Sequence, residues 1–396
     1  MKITDVRLVQ VEGTLTHEGK FWEERLVRPV DIYPEYRVEG VPWQPQRVAE
    51  NRYHLQAIYV HVDTEEGVTG LSGPVSETAA FLIARQLKPL LIGQDPRAVE
   101  LIWDKLYRFA VHGRKGETMM AISALDCALW DLRGKWADAP VFRLLGGPTR
   151  ETIPAYASAL GYSPEPEKVR QRAQSFVREG YCATKWFFRH GSGEGREGMA
   201  RNLELVRTLR EAVGEEVDIM LDCWMSWDVL YTIEMAERMA KYRPRWIEEP
   251  VMPDKISSYA QIRAASPVPI SGGEHEYTRW GIRSLIEAGA VDVLQPDVYW
   301  AGGLTEMVKI CALASAFDLP VIPHDYVVPT VHLLAAQPPA VCPILEYLIK
   351  WNEVNQFFLK DPIRPEGGVV ALPTAPGLGI ELDESKIEAQ CELTWG

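Results

Sequence analysis

In the first part of the chain, the pattern of apolar and polar residues changes from alternation to helical spacing. The stretches 2–11 and 57–62 alternate, as half-buried strands do, and a Glu-Glu-Gly turn at 65–67 leads to another strand at 68–71. From about residue 75 to 145 the apolar positions recur every three or four residues, and the run 118–134 ends at Gly134 as helices often do. Strands followed by helices predict an α+β domain over residues 1–150.

A different pattern begins near residue 151, where short apolar strands alternate with amphipathic helices. The predicted strands lie at 153–158, 183–188, 217–221, 246–247, 270, 293–294 and 321–322. Repetition at a period of roughly 25 residues is typical of a (β/α) barrel or a doubly wound sheet. No G-x-G-x-x-G motif follows the first strand, so a dinucleotide fold has no support and the barrel is favoured, over residues 151–345.

A long polar and aromatic segment separates the first two strands, from Thr14 to Tyr53. It contains Trp22, Trp43 and Arg47 and shows no clear periodicity. A connection of this length is usually functional or disordered, and the aromatic content argues against disorder. We therefore expect a lid or binding loop.

Composition and charge narrow the class of protein. Of the 396 residues, 46% are hydrophobic and 24% charged, which is enough for a large core and unlike a disordered chain. The 42 basic and 55 acidic residues give a net charge of −13, the wrong sign for binding a nucleic-acid backbone. There is no signal-like start or membrane-length apolar run, and the six scattered cysteines include no C-x-x-C pair. These features predict a cytoplasmic protein without a membrane or nucleic-acid partner.

Acidic residues follow three successive predicted strands, at the end where a barrel places its active site. They are Asp222, Glu248 and Glu274, and Asp297 and His324 follow the next two strands. Positions 222, 248, 274, 297 and 324 are 26, 26, 23 and 27 residues apart, about one βα unit each. Three carboxylates aimed at one another repel strongly without a cation, and hard oxygen ligands select Mg²⁺ or Mn²⁺.

Each of these residues taken singly has a plainer interpretation. Asp222 could be a helix N-cap, Glu249 a surface acid, and His324 a hydrogen-bonded structural histidine. Yet Asp297 lies one βα unit before His324, where its carboxylate could hold the imidazole and raise its basicity. The set therefore favours a metal site with a base beside it.

The same residues carry a family resemblance. The order Leu-Asp222, Trp-Ile-Glu248-Glu-Pro, Gly-Gly-Glu274, Gln-Pro-Asp297 and Pro-His324, together with the segment 121–135, resembles the mandelate racemase group of the enolase superfamily. Within that group, the segments 220–226, 273–275, 295–298 and 302–305 are most similar to the L-rhamnonate dehydratases.

The resemblance implies both a fold and partners. The fold is a modified (β/α)₇β TIM-like barrel with an N-terminal α+β capping domain, in which residues 346–396 supply the last barrel segment and a tail that returns to the cap. The three carboxylates would bind Mg²⁺, the substrate would be a small acid sugar, and the protein would form homo-oligomers.

The resemblance also implies abstraction of the proton α to a substrate carboxylate. Many relatives carry Lys-x-Lys on the second barrel strand, with the second lysine as a base opposite the histidine. Here the strand reads Thr184-Lys185-Trp186-Phe187, and Phe187 cannot accept a proton. One-sided chemistry is expected: His324 removes the C2 proton, and either His324 or His275 protonates the departing 3-hydroxyl. The product would be a 2-keto-3-deoxy acid, which makes the protein a lyase of the hydro-lyase class.

Three more residues match family positions that contact substrate. Lys185 corresponds to the first lysine of the motif and would contact the substrate carboxylate, unless it extends along the barrel wall as a structural residue. Glu346 matches an acid on the last barrel strand that hydrogen-bonds the substrate. Arg47, in the lid, matches a substrate-binding arginine, and His17 and Arg25 are weaker candidates of the same kind.

Several alternatives stay open at this stage. Tyr299-Trp300 and the segment 324–329 depart from the rhamnonate pattern, so a mannonate or lyxonate is another substrate to consider. A racemase, epimerase or cycloisomerase would need a second base, such as His190 or His275. A catalytically silent binding protein of the same fold is a further alternative. A metal-dependent hydrolase is disfavoured because its site would be rich in histidine.

Overall fold

The computed structural model describes residues 1–38 and 44–395; positions 39–43 of the predicted lid, which include Trp43, lie outside the described residues. The strands are β1 (Ile3–Thr16), β2 (Gln46–Ala49), β3 (Arg52–Thr64), β4 (Thr69–Val75), β5 (Thr152–Ser158), β6 (Ala183–Phe187), β7 (Asp218–Asp222), β8 (Trp246–Glu248), β9 (Ile270–Gly272), β10 (Val293–Leu294), β11 (Leu345–Leu348), β12 (Val369–Ala371) and β13 (Ala389–Glu392). The helices are α1 (Glu77–Leu82), α2 (Lys88–Leu91), α3 (Val99–Phe109), α4 (Glu117–Trp136), α5 (Val141–Leu144), α6 (Pro166–Arg178), α7 (Gly195–Val213), α8 (Val229–Met239), α9 (Ile256–Ala265), α10 (Thr278–Glu287), α11 (Gly303–Ser315), α12 (Val327–Ala336) and α13 (Ile349–Asn355).

The N-terminal region forms an antiparallel sheet in the order β13-β1-β3-β2, with β4 paired to β3. Helix α4 packs on this sheet and is apolar on nearly all sides, which suits a helix buried between the sheet and the rest of the protein. Close packing requires a small residue on β4: a Cβ at Gly70 would lie 2.1 Å from the Ala128 carbonyl oxygen. Sheet and helices together make the predicted α+β cap.

The second region is a parallel sheet in the order β10-β9-β8-β7-β6-β5-β11. Parallel bridges from Leu294 to Val321 and from Asp297 to His324 continue it, so the predicted strand at 321–322 is present only as isolated bridges. In the described part of the chain, seven helices, α6 to α12, alternate with these eight strand positions. The predicted (β/α)₇β barrel with an α+β cap is confirmed.

Strand alternation places two layers of side chains inside the barrel. Residues two apart on a strand point to the same side, so an apolar residue low on a strand is followed by a polar one nearer its carboxyl end. The pattern recurs in four pairs: Ala183 and Lys185 on β6, Met220 and Asp222 on β7, Trp246 and Glu248 on β8, and Ile344, just before β11, with Glu346. An apolar layer thus lies beneath a charged one.

The C-terminal residues pair with the N-terminal sheet. Strand β13 pairs antiparallel with β1, with Val9 opposite Glu392, and β12 pairs with β5. The domain boundaries that we assign from the sequence stay a prediction. Across the described residues, no helix combines the length and the apolarity needed to cross a bilayer.

Replacing Gly70 by alanine should lower the free energy of unfolding by about 3 kcal/mol, because the new methyl group would overpack the contact between β4 and α4. Urea unfolding followed by circular dichroism measures the change. Gly67→Ala is the matched control: its Cβ would meet no atom within 4 Å, and its φ of +78° costs only about 1 kcal/mol. Equal losses in the two variants would contradict this account of the packing.

Candidate active site

The three acids at the strand ends lie side by side at one end of the barrel. Asp222 and Glu248 are register partners at the carboxyl ends of β7 and β8. Glu274 follows β9 through Gly273, whose φ of +117° favours glycine. All three side chains are buried. The sequence prediction that places them at one edge of the sheet agrees with this geometry.

Lys185 lies among these acids and not in open solvent. Its Nζ is 2.5 Å from Glu248 Oε1, 2.7 Å from Glu346 Oε1 and 3.5 Å from Asp222 Oδ2. Glu248 Oε2 also accepts hydrogen bonds from the Trp246 indole and the Gln295 amide, both at 2.9 Å. Lys185, on β6, thus lies beneath the site and forms ion pairs with acids on β7, β8 and β11.

The single positive charge of Lys185 does not neutralise all of the acids around it, and the pKa values of the acids are shifted as a result. Burial, followed by the nearby Glu248 carboxylate, raises the pKa of Asp222 well above its usual range, even though Lys185 opposes the change. Burial also raises the pKa of Glu274 to about 7. Buried carboxylates that resist ionisation next to one another are stabilised by a hard cation, so this donor set fits Mg²⁺.

On the next strand positions, His324 is held by Asp297. His324 Nδ1 is 2.8 Å from Asp297 Oδ2, and Asp297 Oδ1 accepts hydrogen bonds from the Tyr299 and Trp300 amides. The other ring nitrogen, Nε2, is 3.7 Å from Glu274 Oε2. Burial alone lowers the pKa of His324, but Glu274 and Asp297 outweigh it and raise that pKa well above 6.5.

A second histidine pair stands on the other side of Glu274. His275 Nδ1 is 2.7 Å from Glu249 Oε2 and 3.4 Å from Glu274 Oε1. Burial lowers the pKa of His275, yet Glu249 more than compensates and the pKa rises to about 9. Glu249 is only 1% exposed, so its interpretation as a surface acid is wrong.

Glu249 also belongs to an alternative metal-binding set. Among the described residues, Glu249, Glu274 and His275 offer ligand atoms that all lie within 4.8 Å of one another. The trio Asp222, Glu248 and Glu274 does not reach this spacing among the described residues, and Lys185 Nζ lies between Asp222 and Glu248. Glu274 is the residue that the two sets share.

Asp222, Glu274 and His324 open onto a cavity of about 250 Å³, whereas His275 and Glu248 are not among its lining residues. Phe187 lies at the end of β6 opposite Asp222 in the sheet register, and its ring offers no proton acceptor on that wall. The lining residues described by the structure are Leu26, Leu160, Phe187, Asp222, Trp224, Glu274, Trp300, His324, Asp325, Tyr326, Leu348, Trp351 and Asn355. Leu26 comes from the predicted lid, so this part of the segment does cover the site.

Several residues predicted to contact substrate lie elsewhere in this structure. Lys185 and Glu346 are fully buried as an ion pair and are not part of the cavity lining. Arg47 is exposed on β2, where its Nε donates to the Ala49 carbonyl. His17 lies 3.7 Å from Glu353, and Arg25 is buried against Asp31. The contacts that we predict between these residues and substrate stay predictions.

Three residues of the site have no role that the sequence predicts. Glu249 positions His275, while Asp325 and Asn355 line the cavity and hydrogen-bond each other. A signal for Asp325 was present, since the segment 324–329 departs from the rhamnonate pattern. Asn355 lies at the end of α13 and had no local signal.

Comparison with known proteins agrees with the fold. A family model described as enolase C-terminal domain-like matches residues 168–386, and the mandelate racemase / muconate lactonizing enzyme N-terminal domain matches residues 35–146. The chain belongs to the mandelate racemase / muconate lactonizing enzyme family of the enolase superfamily.

The similar proteins include individual enzymes of known name. An L-rhamnonate dehydratase of Saccharopolyspora erythraea is 34% identical over 97% of both chains. A crystal structure of rhamnonate dehydratase from Gibberella zeae complexed with Mg is 31% identical with a TM-score of 0.82, over 97% of this chain and 95% of that one. A 3,6-anhydro-D-galactonate cycloisomerase from Zobellia galactanivorans is 26% identical with a TM-score of 0.77, over 98% and 100%.

Replacing Lys185 by methionine should lower the free energy of unfolding by about 3 kcal/mol, because the buried carboxylates lose the Lys185 ammonium that compensates them. EDTA is present so that no metal ion replaces that charge. The measurement is urea unfolding by tryptophan fluorescence. Lys360→Met is the control, since Lys360 and its partner Glu381 are both exposed and water screens such a pair, so its loss should change the free energy of unfolding very little. An equally small effect for Lys185→Met would show that the buried charges are balanced in another way.

Proposed function

We propose that this protein is a Mg²⁺-dependent acid-sugar dehydratase that acts on an L-rhamnonate-like aldonate. The observation that carries the proposal is the His324–Asp297 pair next to the carboxylate trio, with Phe187 in place of a base on β6. This arrangement favours removal of a proton from one face of the substrate only. The L-rhamnonate dehydratase relatives support the same reaction.

In this proposal His324 is the base and acts in its neutral form. A cation on Glu274 would favour that form, because the Glu274 carboxylate is one of the groups that raise the pKa of His324. Asp297 holds Nδ1, which leaves Nε2 directed toward Glu274 and the cavity. Nε2 takes the proton from C2, next to the substrate carboxylate, and the Asp297 carboxylate stabilises the imidazolium that results. The hydrogen bonds from the Tyr299 and Trp300 amides fix the orientation of Asp297.

The second proton goes to the departing 3-hydroxyl. His275, whose pKa Glu249 raises to about 9, is mostly protonated near neutral pH and is a suitable acid. His324 is the alternative, because it carries the C2 proton after the first step. Loss of water leaves an enol that becomes the 2-keto-3-deoxy acid.

The residues proposed to hold the metal are Asp222, Glu248 and Glu274. When bound there, Mg²⁺ would offset their mutual repulsion and stabilise the negative charge that develops on the substrate carboxylate. Glu248 would need to exchange part of its contact with Lys185, whose Nζ retains Glu346 as a partner.

The walls of the cavity favour a substrate that is partly apolar. Leu26, Leu160, Leu348 and Trp351 line it, and the methyl end of a 6-deoxy acid sugar would bury apolar surface against them. This supports an L-rhamnonate-like substrate over a fully hydroxylated one.

A cycloisomerase is the second candidate, because the Zobellia galactanivorans enzyme shares the fold and His275 is a second titratable group facing Glu274. That reaction isomerises its substrate without loss of water. A panel of acid sugars therefore separates the two candidates by their products.

Incubation of the Mg²⁺-loaded protein with acid sugars should give a 2-keto-3-deoxy product, detected as its semicarbazone. His324→Asn should lower kcat about a thousandfold, because it removes the base and keeps the size of the side chain. His190→Asn is the matched control: His190 is paired with Glu194 and does not line the cavity, so activity should persist.

Two results would overturn the dehydratase proposal. In D₂O, exchange of the C2 proton without a keto product would indicate an isomerase. Full activity in His324→Asn would exclude His324 as the base.

Asp222→Asn should weaken Mg²⁺ binding by about tenfold or more, because it removes an ionised ligand from the trio. Glu249→Gln should change Mg²⁺ affinity much less and should affect kcat through His275. Isothermal titration calorimetry of the EDTA-treated proteins with MgCl₂ measures both affinities. If Glu249→Gln weakened Mg²⁺ binding more than Asp222→Asn did, the cation would belong to the set of Glu249, Glu274 and His275.

A further inference from the structure

The cavity contains one carboxylate that neither the metal nor the proposed proton transfers use. Asp325 directly follows His324, lines the same cavity as Asp222 and Glu274, and is 3% exposed. Among the residues that the structure describes, Asp325 forms no ion pair within 4.0 Å, although the charge of the neighbouring His324 acts on it. A buried carboxylate that is not paired directly is costly, so its presence in a substrate cavity calls for a function.

The backbone at this point is strained. Asp325 has a φ of +23° and Tyr326 a φ of +37°, in a region that non-glycine residues seldom adopt. Strain of this kind persists where surrounding contacts enforce it, and it is concentrated at functional sites. Here it accompanies the entry of the Asp325 side chain into the cavity.

Two amides from α13 hold the Asp325 carboxylate in place. Asn352 Nδ2 donates to Oδ1 at 3.1 Å, and Asn355 Nδ2 donates to Oδ2 at 3.3 Å. Both carboxylate oxygens act as acceptors, which suits the ionised form, and a carboxylate has about four acceptor sites. Asp325 can therefore accept further hydrogen bonds from a molecule in the cavity.

The charges around the cavity point to the ligand. Among the lining residues that the structure describes, there is no lysine or arginine. In the proposed reaction, the trio and the cation it would hold would bind the substrate carboxylate, and His324 would transfer the proton. A second anionic group on the substrate would thus face Asp325 without a counterion, whereas a hydroxyl group would find an acceptor.

We propose that Asp325 is a specificity-determining residue, which accepts a hydrogen bond from a hydroxyl of the sugar chain and excludes acid sugars that carry a second carboxylate. The inference rests on the proposed dehydratase function and adds a rule for its substrates. The protein selects monocarboxylate aldonates over the corresponding dicarboxylate aldarates.

The test uses three acid sugars with the same configuration at C2 to C5. L-rhamnonate, L-mannonate and L-mannarate differ only at C6, which is a methyl, a hydroxymethyl and a carboxylate group. Assays use the Mg²⁺-loaded protein at pH 8, since burial raises the pKa of Asp325 to about 7. If another aldonate proves active in the panel, the series is built on that configuration.

For the wild-type protein, kcat/KM for the aldarate should be about a hundredfold or more below that for the better monocarboxylate, because a like charge enters a buried site. In Asp325→Asn, the difference in kcat/KM between the monocarboxylate and the aldarate should become about tenfold smaller, mainly through changes in KM. In the same variant, kcat/KM for the monocarboxylates should fall because the charged acceptor is lost.

Two further variants separate charge from shape. Asp325→Glu keeps the charge and should keep the exclusion of the aldarate. Asn355→Lys leaves Asp325 intact but supplies a cation beside it, so the aldarate should become a better substrate. A thermal melt of each variant shows that it is folded. Comparable turnover of all three acids by the wild-type protein, or an unchanged ratio in both Asp325→Asn and Asn355→Lys, would overturn the inference.

Failure of the dehydratase proposal gives a different result. If no acid sugar is turned over, the same three compounds are titrated calorimetrically into the Mg²⁺-loaded wild-type protein and Asp325→Asn. If the wild-type protein binds the aldarate more weakly than the monocarboxylates, and Asp325→Asn reduces that difference, Asp325 selects ligands even though no reaction is observed. Equal binding of all three, or equal discrimination by both proteins, would reject it.

Discussion

Repulsion between buried carboxylates is the constraint on which the rest of this site depends. Strand ends that converge in a barrel bring Asp222, Glu248 and Glu274 together whatever their charge. The Lys185 ammonium offsets the charge of Asp222 and Glu248, and His275 and His324 lie beside Glu274. Because this balance is incomplete, the pKa values of Asp222 and Glu274 are raised, and the same imbalance creates the affinity for a cation.

The alternation of strand residues connects this chemistry to the stability of the barrel. One position sets an apolar layer and the position two residues later sets the charged layer, so the same short strands provide both a core and a site. The cap contributes Leu26 to the cavity wall. The Lys350 ammonium donates to the Phe21 carbonyl on the same segment and to the Gly161 carbonyl, and so ties this segment to the barrel.

Much of this arrangement could be predicted from the sequence because a βα repeat fixes where strand ends lie. Spacing alone places Asp297 next to His324, and their isolated bridge agrees with that. Side chains in the connections could not be placed, since their directions depend on distant contacts. Glu249 turns inward through a φ of +38°, and Arg47 lies on a strand that the lid prediction did not include. Asp325 depends on α13, which is close only in the folded chain.

The pairing of β1 with β13 has a consequence for how the protein is made. During synthesis, the N-terminal sheet leaves the ribosome early, yet one of its edges stays open until residues 389–392 have been translated. An open strand edge can pair with other chains, so the nascent protein carries this exposure throughout production of the barrel. The contact joins nearly the most distant parts of the chain, and the cap is therefore completed late in folding.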